Sequence, residues 1–495
     1  MKNKFIQQSL LVSLLFIVVM ASSCSKGFQE INKSVDFVSD PNLDFLLPSV
    51  ELNMLDRTYY TQGDFAAPLV GQVTQGKTYA SLIAPGGNHG YHFDWVYQNP
   101  LKSVADLIDH SKTDPVKVNY LSIGRIIRVY LFSLLTDVYG DVPYFEANQG
   151  YTNQAYFPSY DPQQKIYEDM FKELQEAGDA LTPGKTVPTA SSDIVYKGDI
   201  TKWKKFANGM MLRLGLRIMN VDAVNGKKWI AQAITSGLPA GNQDNFIVTY
   251  MPSSYYGVTQ NGQPHIFIRY FNNYRLTAPF VDSLKIKNDP RITAYCMLPG
   301  STSAYVAGDK TASKQKGYPM FGSIAETKSN FSVGNINTFG RYEAPYIHLS
   351  YAQTQFQLSE CVVRGIITGD AKAYYENGVR AAMDELKIFG AEGVITTAQA
   401  TAYLLQNPYN PLTNDDALQL INTQYWIETH FNWYETFANM RRSGYPKIYN
   451  QFTDGTVLPR RLTYPLTEAA TNPHLQDAIK RQGLDVVTSR VWWDK

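Results

Sequence analysis

Apolar side chains recur every three to four positions through Asn119–Val138 (NYLSIGRIIRVYLFSLLTDV), a spacing that predicts a long helix. Asp161 and Pro162 then offer an N-cap followed by proline at the first helical position, opening an amphipathic run from Ile166 to Leu181. Asp199 or Thr201 caps a third helix, Trp203–Met219, with Arg213 and Arg217 spaced for one face. The segment DWVYQNPLKSVADLI, which contains Trp95, is also helix-like. Between about Pro239 and Glu343 the pattern dissolves into Gly, Asn, Ser, Tyr and Pro, with a β-like piece at His265–Arg269. Helical spacing returns at Tyr346–Ile367, Asp370–Leu386 and Asp415–Met440, and briefly near Pro473–Arg481. The pair flanking Ile367-Thr368-Gly369-Asp370, with Ala371, Tyr374, Tyr375 and Ala381 in its second helix, has the size of a tetratricopeptide unit. The expected fold is mainly α: tetratricopeptide-like helical hairpins with a loop-rich insertion at about 239–343.

The N-terminus reads differently. Lys2 and Lys4 precede an apolar stretch, Leu10–Met20, that is about half the ~20 residues a membrane span needs. Ala21-Ser22-Ser23 and then Cys24 follow, the order of a lipoprotein signal with Cys24 as the lipid-bearing residue. The expected organisation is a signal peptide over 1–23, a polar tether over 24–40 and one helical domain over 41–495. Cys296 and Cys361 are the only other cysteines, too few for a disulfide framework. A net charge of +1 argues against a nucleic-acid partner. The chain has 34 tyrosines, whose flat rings with a polar tip suit wet binding surfaces.

Gly71-Gln72-Val73-Thr74-Gln75-Gly76-Lys77-Thr78 satisfies the phosphate-loop pattern. The mechanism behind that pattern needs a buried strand before the loop and a full helix after it. Pro68 and Pro85-Gly86-Gly87 deny both, so a chance match is expected. His89, His92 and Asp94 lie close together, but the flanking glycines disfavour a shared helical face and no further ligand completes a metal set. No serine-nucleophile elbow or zinc-protease signature is present. What remains is aromatic clustering. Tyr79, Tyr91, His92, Trp95 and Tyr97 fall in one segment, and Tyr255, Tyr256, Tyr270, Phe271, Tyr274 and Arg275 in another. Rings flanked by amide and guanidinium donors suit a sugar, with apolar C–H faces and a hydroxyl rim. Tyr79, His92, Trp95, Tyr255, Tyr256, Tyr270, Tyr274 and Arg275 are the candidate ligand residues. Core packing is the competing role for each, Trp95 above all.

Several segments together resemble one family. Thr136-Asp137-Val138-Tyr139-Gly140-Asp141-Val142-Pro143-Tyr144, Gly198-Asp199 through Trp203-Lys204-Lys205-Phe206-Ala207-Asn208, and Asp289-Pro290-Arg291 are three of them. Tyr351–Phe356, Trp433-Tyr434-Glu435 through Arg441-Arg442-Ser443-Gly444-Tyr445-Pro446, Leu458–Pro465 and Val491-Trp492-Trp493-Asp494-Lys495 are the others. In this order they resemble SusD/RagB-like nutrient-binding lipoproteins, nearest the second SusD-like subfamily, over essentially the whole chain. The resemblance implies a lipid-anchored, surface-exposed outer-membrane protein that captures an oligosaccharide or peptide for a SusC-like TonB-dependent transporter. It implies no covalent chemistry and no cofactor, and a role for Arg441 and Arg442 in holding carbonyls or carboxylates inside the fold. Ser25-Lys26-Gly27 lacks the acidic residues that often follow the lipidated cysteine of surface-displayed members. The alternatives are a surface glycoside hydrolase, which needs two carboxyls about 5–10 Å apart at the cleft, and a scaffold for envelope proteins, which needs a large exposed apolar groove.

Overall fold

The computed structural model describes residues 41–495 except 56–60, 85, 253–259, 271, 302–305 and 307. The signal peptide, Cys24, the tether, Tyr255, Tyr256 and Phe271 therefore lie outside the described residues. Four of the longer helices open the fold: α1 (Leu43–Asn53), α2 (Tyr91–Gln98), α3 (Pro100–Asp109) and α4 (Val118–Tyr139). Helix α4 is apolar on nearly every face and buried along most of its length, with α3 and the next long helix, α5 (Gln163–Ala180), packed against it. It stops at Gly140, where φ is 87° and a Cβ would collide with the side-chain oxygen of Gln482.

Asp161 does not cap α5. Pro162 occupies the N-cap, and the Asp161 carboxylate instead accepts the N–H groups of Tyr144 and Phe145, each at 2.9 Å. This holds a small hairpin of strands Val142–Pro143 and Tyr160–Asp161. Asp199 does cap α6 (Ile200–Arg217), accepting from Thr201 and Lys202. A helix the periodicity did not announce, α7 (Ala223–Ser236), packs along α6.

Among its described residues the loop-rich excursion contains one sizeable helix, α8 (Ala278–Ile286), and His265–Ile268 forms a helical turn, not the expected strand. Pro264, at the N-cap with φ −58°, already has the helical dihedral. The predicted helix start at Tyr346 is likewise corrected. Tyr346–Leu349 pairs antiparallel with Phe246–Val248, and α9 (Tyr351–Val363) begins only after Ser350, whose hydroxyl caps it. A short apolar run fits either state, and the distant partner strand decides it. Helices α10 (Ala371–Glu385), α11 (Thr397–Gln406), α12 (Asn414–Glu428) and α13 (Trp433–Ser443) complete the array, with a short α14 (Leu475–Gln482). The predicted single helix Asp415–Met440 breaks at Thr429–Asn432, where Phe431 takes φ 77°. Helices α3–α4–α5–α6–α7 and α9–α10–α11 stack in sequence, and the α6–α9 contact joins the two runs. The result is the expected mainly helical fold.

At its centre lies a buried ionic network. The Asp137 carboxylate meets Arg217 at 3.2 Å and accepts from Trp493 Nε1 at 2.8 Å and from the Tyr167 hydroxyl. Glu435 takes Arg217 at 2.6 Å and the Tyr425 hydroxyl at 2.8 Å. Arg441 donates to the carbonyls of Asp137 and Arg460, and Arg442 grips Glu360 with two bonds of 2.6 and 2.8 Å. Burial alone would raise the Glu360 pKa, but Arg442 and Arg364 pull it down to about 2. The arginine pair thus binds the carbonyls and carboxylates it was expected to bind.

Candidate functional site

The two aromatic segments singled out in the sequence sit side by side. Val73–Thr74, just ahead of Tyr79, pairs antiparallel with Arg275–Leu276, just beyond Tyr274. This pairing consumes the phosphate-loop match. Its backbone is in a two-stranded ladder, Gln72 is buried with its amide on the Trp426 carbonyl, and the helix that follows spans only Tyr79–Ile83.

Tyr79 leads into a half-buried aromatic surface. Its hydroxyl donates to the Val457 carbonyl at 2.6 Å, and its ring meets Phe321 edge-on at 5.3 Å. Phe321 lies 5.4 Å from Phe452 and 6.3 Å from Tyr449, and the last two are 5.8 Å apart. All four side chains are half-buried, so each ring keeps part of its surface in water. Three segments distant in sequence supply them, and hydrogen bonds hold those segments in place. Gly322 N–H donates to the Lys77 carbonyl at 2.8 Å, and the Tyr449 hydroxyl to the Leu69 carbonyl at 2.8 Å. Polar groups are knitted together just ahead of Tyr79 in the chain. Lys77 stands 3.5 Å from Asp64, Gln75 donates to the same carboxylate, and Lys328 donates to the Gln75 carbonyl at 2.8 Å. Phe321, Tyr449 and Phe452 were missed in the sequence; the only signal was aromatic density in irregular segments (GYPMFG and IYNQF).

The other candidates are placed as follows. His92 is a core residue, its ring 4.1 Å from Tyr434, and burial drives its pKa down to about 3, so the imidazole is neutral. Tyr274 is buried with its hydroxyl on Asp64; burial first and that carboxylate second raise its pKa. Arg275 is buried too, donating to the Lys328 and Tyr274 carbonyls at 2.7 and 2.6 Å, and burial lowers its pKa to about 10. These three have no open face for a ligand ring, because the β-ladder and the α2 contact turn them inward. Trp95 and Tyr270 are half-buried against the core, with the Trp95 indole donating to the Asn53 carbonyl at 3.2 Å. His89 is held by Thr463 at 2.9 Å. Among the described residues no group of three or more His, Cys, Asp or Glu side chains fits a metal ion.

A pair of glutamates lies elsewhere. Glu385 and Glu428 hydrogen-bond to each other in the interior, at an enclosed cavity also lined by Tyr295, Phe339 and His430. Burial raises both, Glu428 to about 7, and the mutual repulsion holds Glu385 well above the usual range. Two carboxyls in contact share a proton and leave no gap for a glycosidic bond.

Among the described residues no helix is long and apolar enough to cross a membrane. A family profile described as starch-binding and associating with the outer membrane (SusD-like, second family) matches residues 37–465. No protein of curated function matches by sequence. A solved structure named as a chitin-binding protein is 29% identical, with TM-score 0.78 over 92% of this chain and 100% of its own. A Bacteroidetes SusD-like protein is 24% identical, with TM-score 0.80 over the same shares. A chitin-binding SusD homologue from Flavobacterium johnsoniae is 23% identical, with TM-score 0.74 over 92% of this chain and 98% of its own. The profile covers most of the chain, and the chain belongs to the SusD-like family of starch-binding proteins that associate with the outer membrane.

Proposed function

We propose that this protein captures an oligosaccharide at the Tyr79–Phe321–Tyr449–Phe452 surface and delivers it to a SusC-like TonB-dependent transporter. It does so on the cell surface, anchored through lipid on Cys24, without covalent chemistry. The observation that carries the reading is the four-ring surface, with Gln75 and Lys77 a few residues ahead of Tyr79. Apolar sugar faces stack on rings, and hydroxyls meet polar side chains. The names of two relatives make oligomers of N-acetylglucosamine the first ligands to try, starch fragments the second and short peptides the third.

The test is calorimetry on the detergent-solubilised full chain, beside Tyr79→Ala and Phe321→Ala. Each substitution is expected to weaken binding about tenfold or more with the melting temperature unchanged, since each ring is surface-exposed in part. Product formation would overturn the non-enzymatic reading. Binding that survives both substitutions would move the site off this surface.

A further inference from the structure

The corner where the chain enters the folded body has a surface of its own. Asp44 accepts from the Tyr120 hydroxyl at 2.5 Å and from the Thr189 N–H at 3.3 Å, and Thr186 N–H donates to the Val116 carbonyl at 3.2 Å. These bonds draw the start of α1, the turn before α4 and the loop after α5 into one place. Three apolar side chains there face water: Phe45 (77% exposed), Val116 (50%) and Val187 (40%). The nearby carboxylates are already engaged. Asp44 is held as above, Asp114 accepts from the Val116 N–H, and Asp109 pairs with Lys112 at 2.6 Å. Lys117 and Lys185 make no ion pair among the described residues, and Asp44 and Asp114 are hydrogen-bonded to neutral groups.

We propose that this corner rests on the lipid surface of the outer membrane, with Phe45, Val116 and Val187 in the headgroup layer and Lys117 and Lys185 on lipid phosphates. The proposal builds on the reading of Cys24 as the lipid-bearing residue. The 19 residues from Cys24 to Leu43 can reach at most about 65 Å, so acyl chains alone do not fix which side of the body meets the bilayer. A second, weaker contact beside the attachment point does so, in the way that an acyl anchor gains from an adjoining apolar and basic patch. The occupant is lipid because this is the corner onto which the lipid-bearing segment is covalently joined, which holds the three apolar side chains beside the acyl anchor.

Nitroxide labels on Phe45→Cys and, as control, on Leu412→Cys (90% exposed) report the contact in the full lipidated chain reconstituted in anionic vesicles. Cys296 and Cys361 are buried and stay unlabelled. The ratio of collision with oxygen, which concentrates in lipid, to collision with a water-soluble nickel chelate is expected to be several-fold higher at 45 than at 412. Mass spectrometry of Cys24 separates the two claims. An acylated, vesicle-bound protein with equal ratios at both positions overturns the resting corner and leaves the anchor standing. A protein without acyl chains that does not bind vesicles overturns both.

Discussion

Glu360 and Arg442 show what a single side chain carries in this fold. Both are buried, and each satisfies the other through two parallel bonds. Glu360→Ala leaves a guanidinium in the interior without its counter-charge and is expected to destabilise by about 3–5 kcal/mol in urea titration. Glu360→Leu with Arg442→Met removes both charges and is expected to recover most of that loss. Reading the same scale from sequence has a limit that the tyrosines expose. Tyr79 and Tyr274 are the same residue type in similar Gly- and Asn-rich surroundings, yet one ring lies at the surface and the other is enclosed against Asp64. Amphipathic rings satisfy either environment, so composition identifies candidates and only tertiary contacts sort them.

Elements were more legible, for physical reasons that differ case by case. The long helices announced themselves because caps and periodicity are local. Asp199 is an example, and Asp199→Ala is expected to cost about 1 kcal/mol by thermal or urea denaturation, with Asp199→Asn close to wild type. Misreadings fell where distant partners decide. Tyr346–Leu349 is a strand because Phe246–Val248 lies beside it, a hundred residues upstream, and nothing within the run distinguishes it from a helical turn. The α12–α13 break was hidden because apolar spacing continues across Thr429–Asn432, while the backbone reverses at Phe431. The candidate surface was the least legible part. Tyr79 stood out in its segment, but its three neighbours come from segments that meet it only in the folded chain.

On the scale of the whole molecule, the interior glutamate pair couples stability to pH. Glu385 on α10 accepts from Asn245, and Glu428 on α12 accepts from Ser350 and Gln353, with Arg213 and Arg291 acting on the pair as positive charges. Burial raises their folded pKa values, so the stabilisation they give is complete below the ordinary glutamate pKa and is lost as pH rises through about 7. Between the unfolded and folded pKa values, each proton the folded state retains costs about 1.4 kcal/mol per pH unit. The melting temperature of the wild type is expected to fall between pH 6 and pH 8, and that of Glu385→Gln to fall less, as calorimetric scans across that range can read. The aromatic surface also has a consequence at this scale. Its rings are delivered by three separate stretches of chain, held by the Gly322 N–H bond to the Lys77 carbonyl and the Tyr449 hydroxyl bond to the Leu69 carbonyl. The Gly322–Lys77 bond runs main chain to main chain and outlasts a change of side chain, so the surface is open to piecemeal change: new preferences can accumulate a ring at a time on an unaltered helical frame.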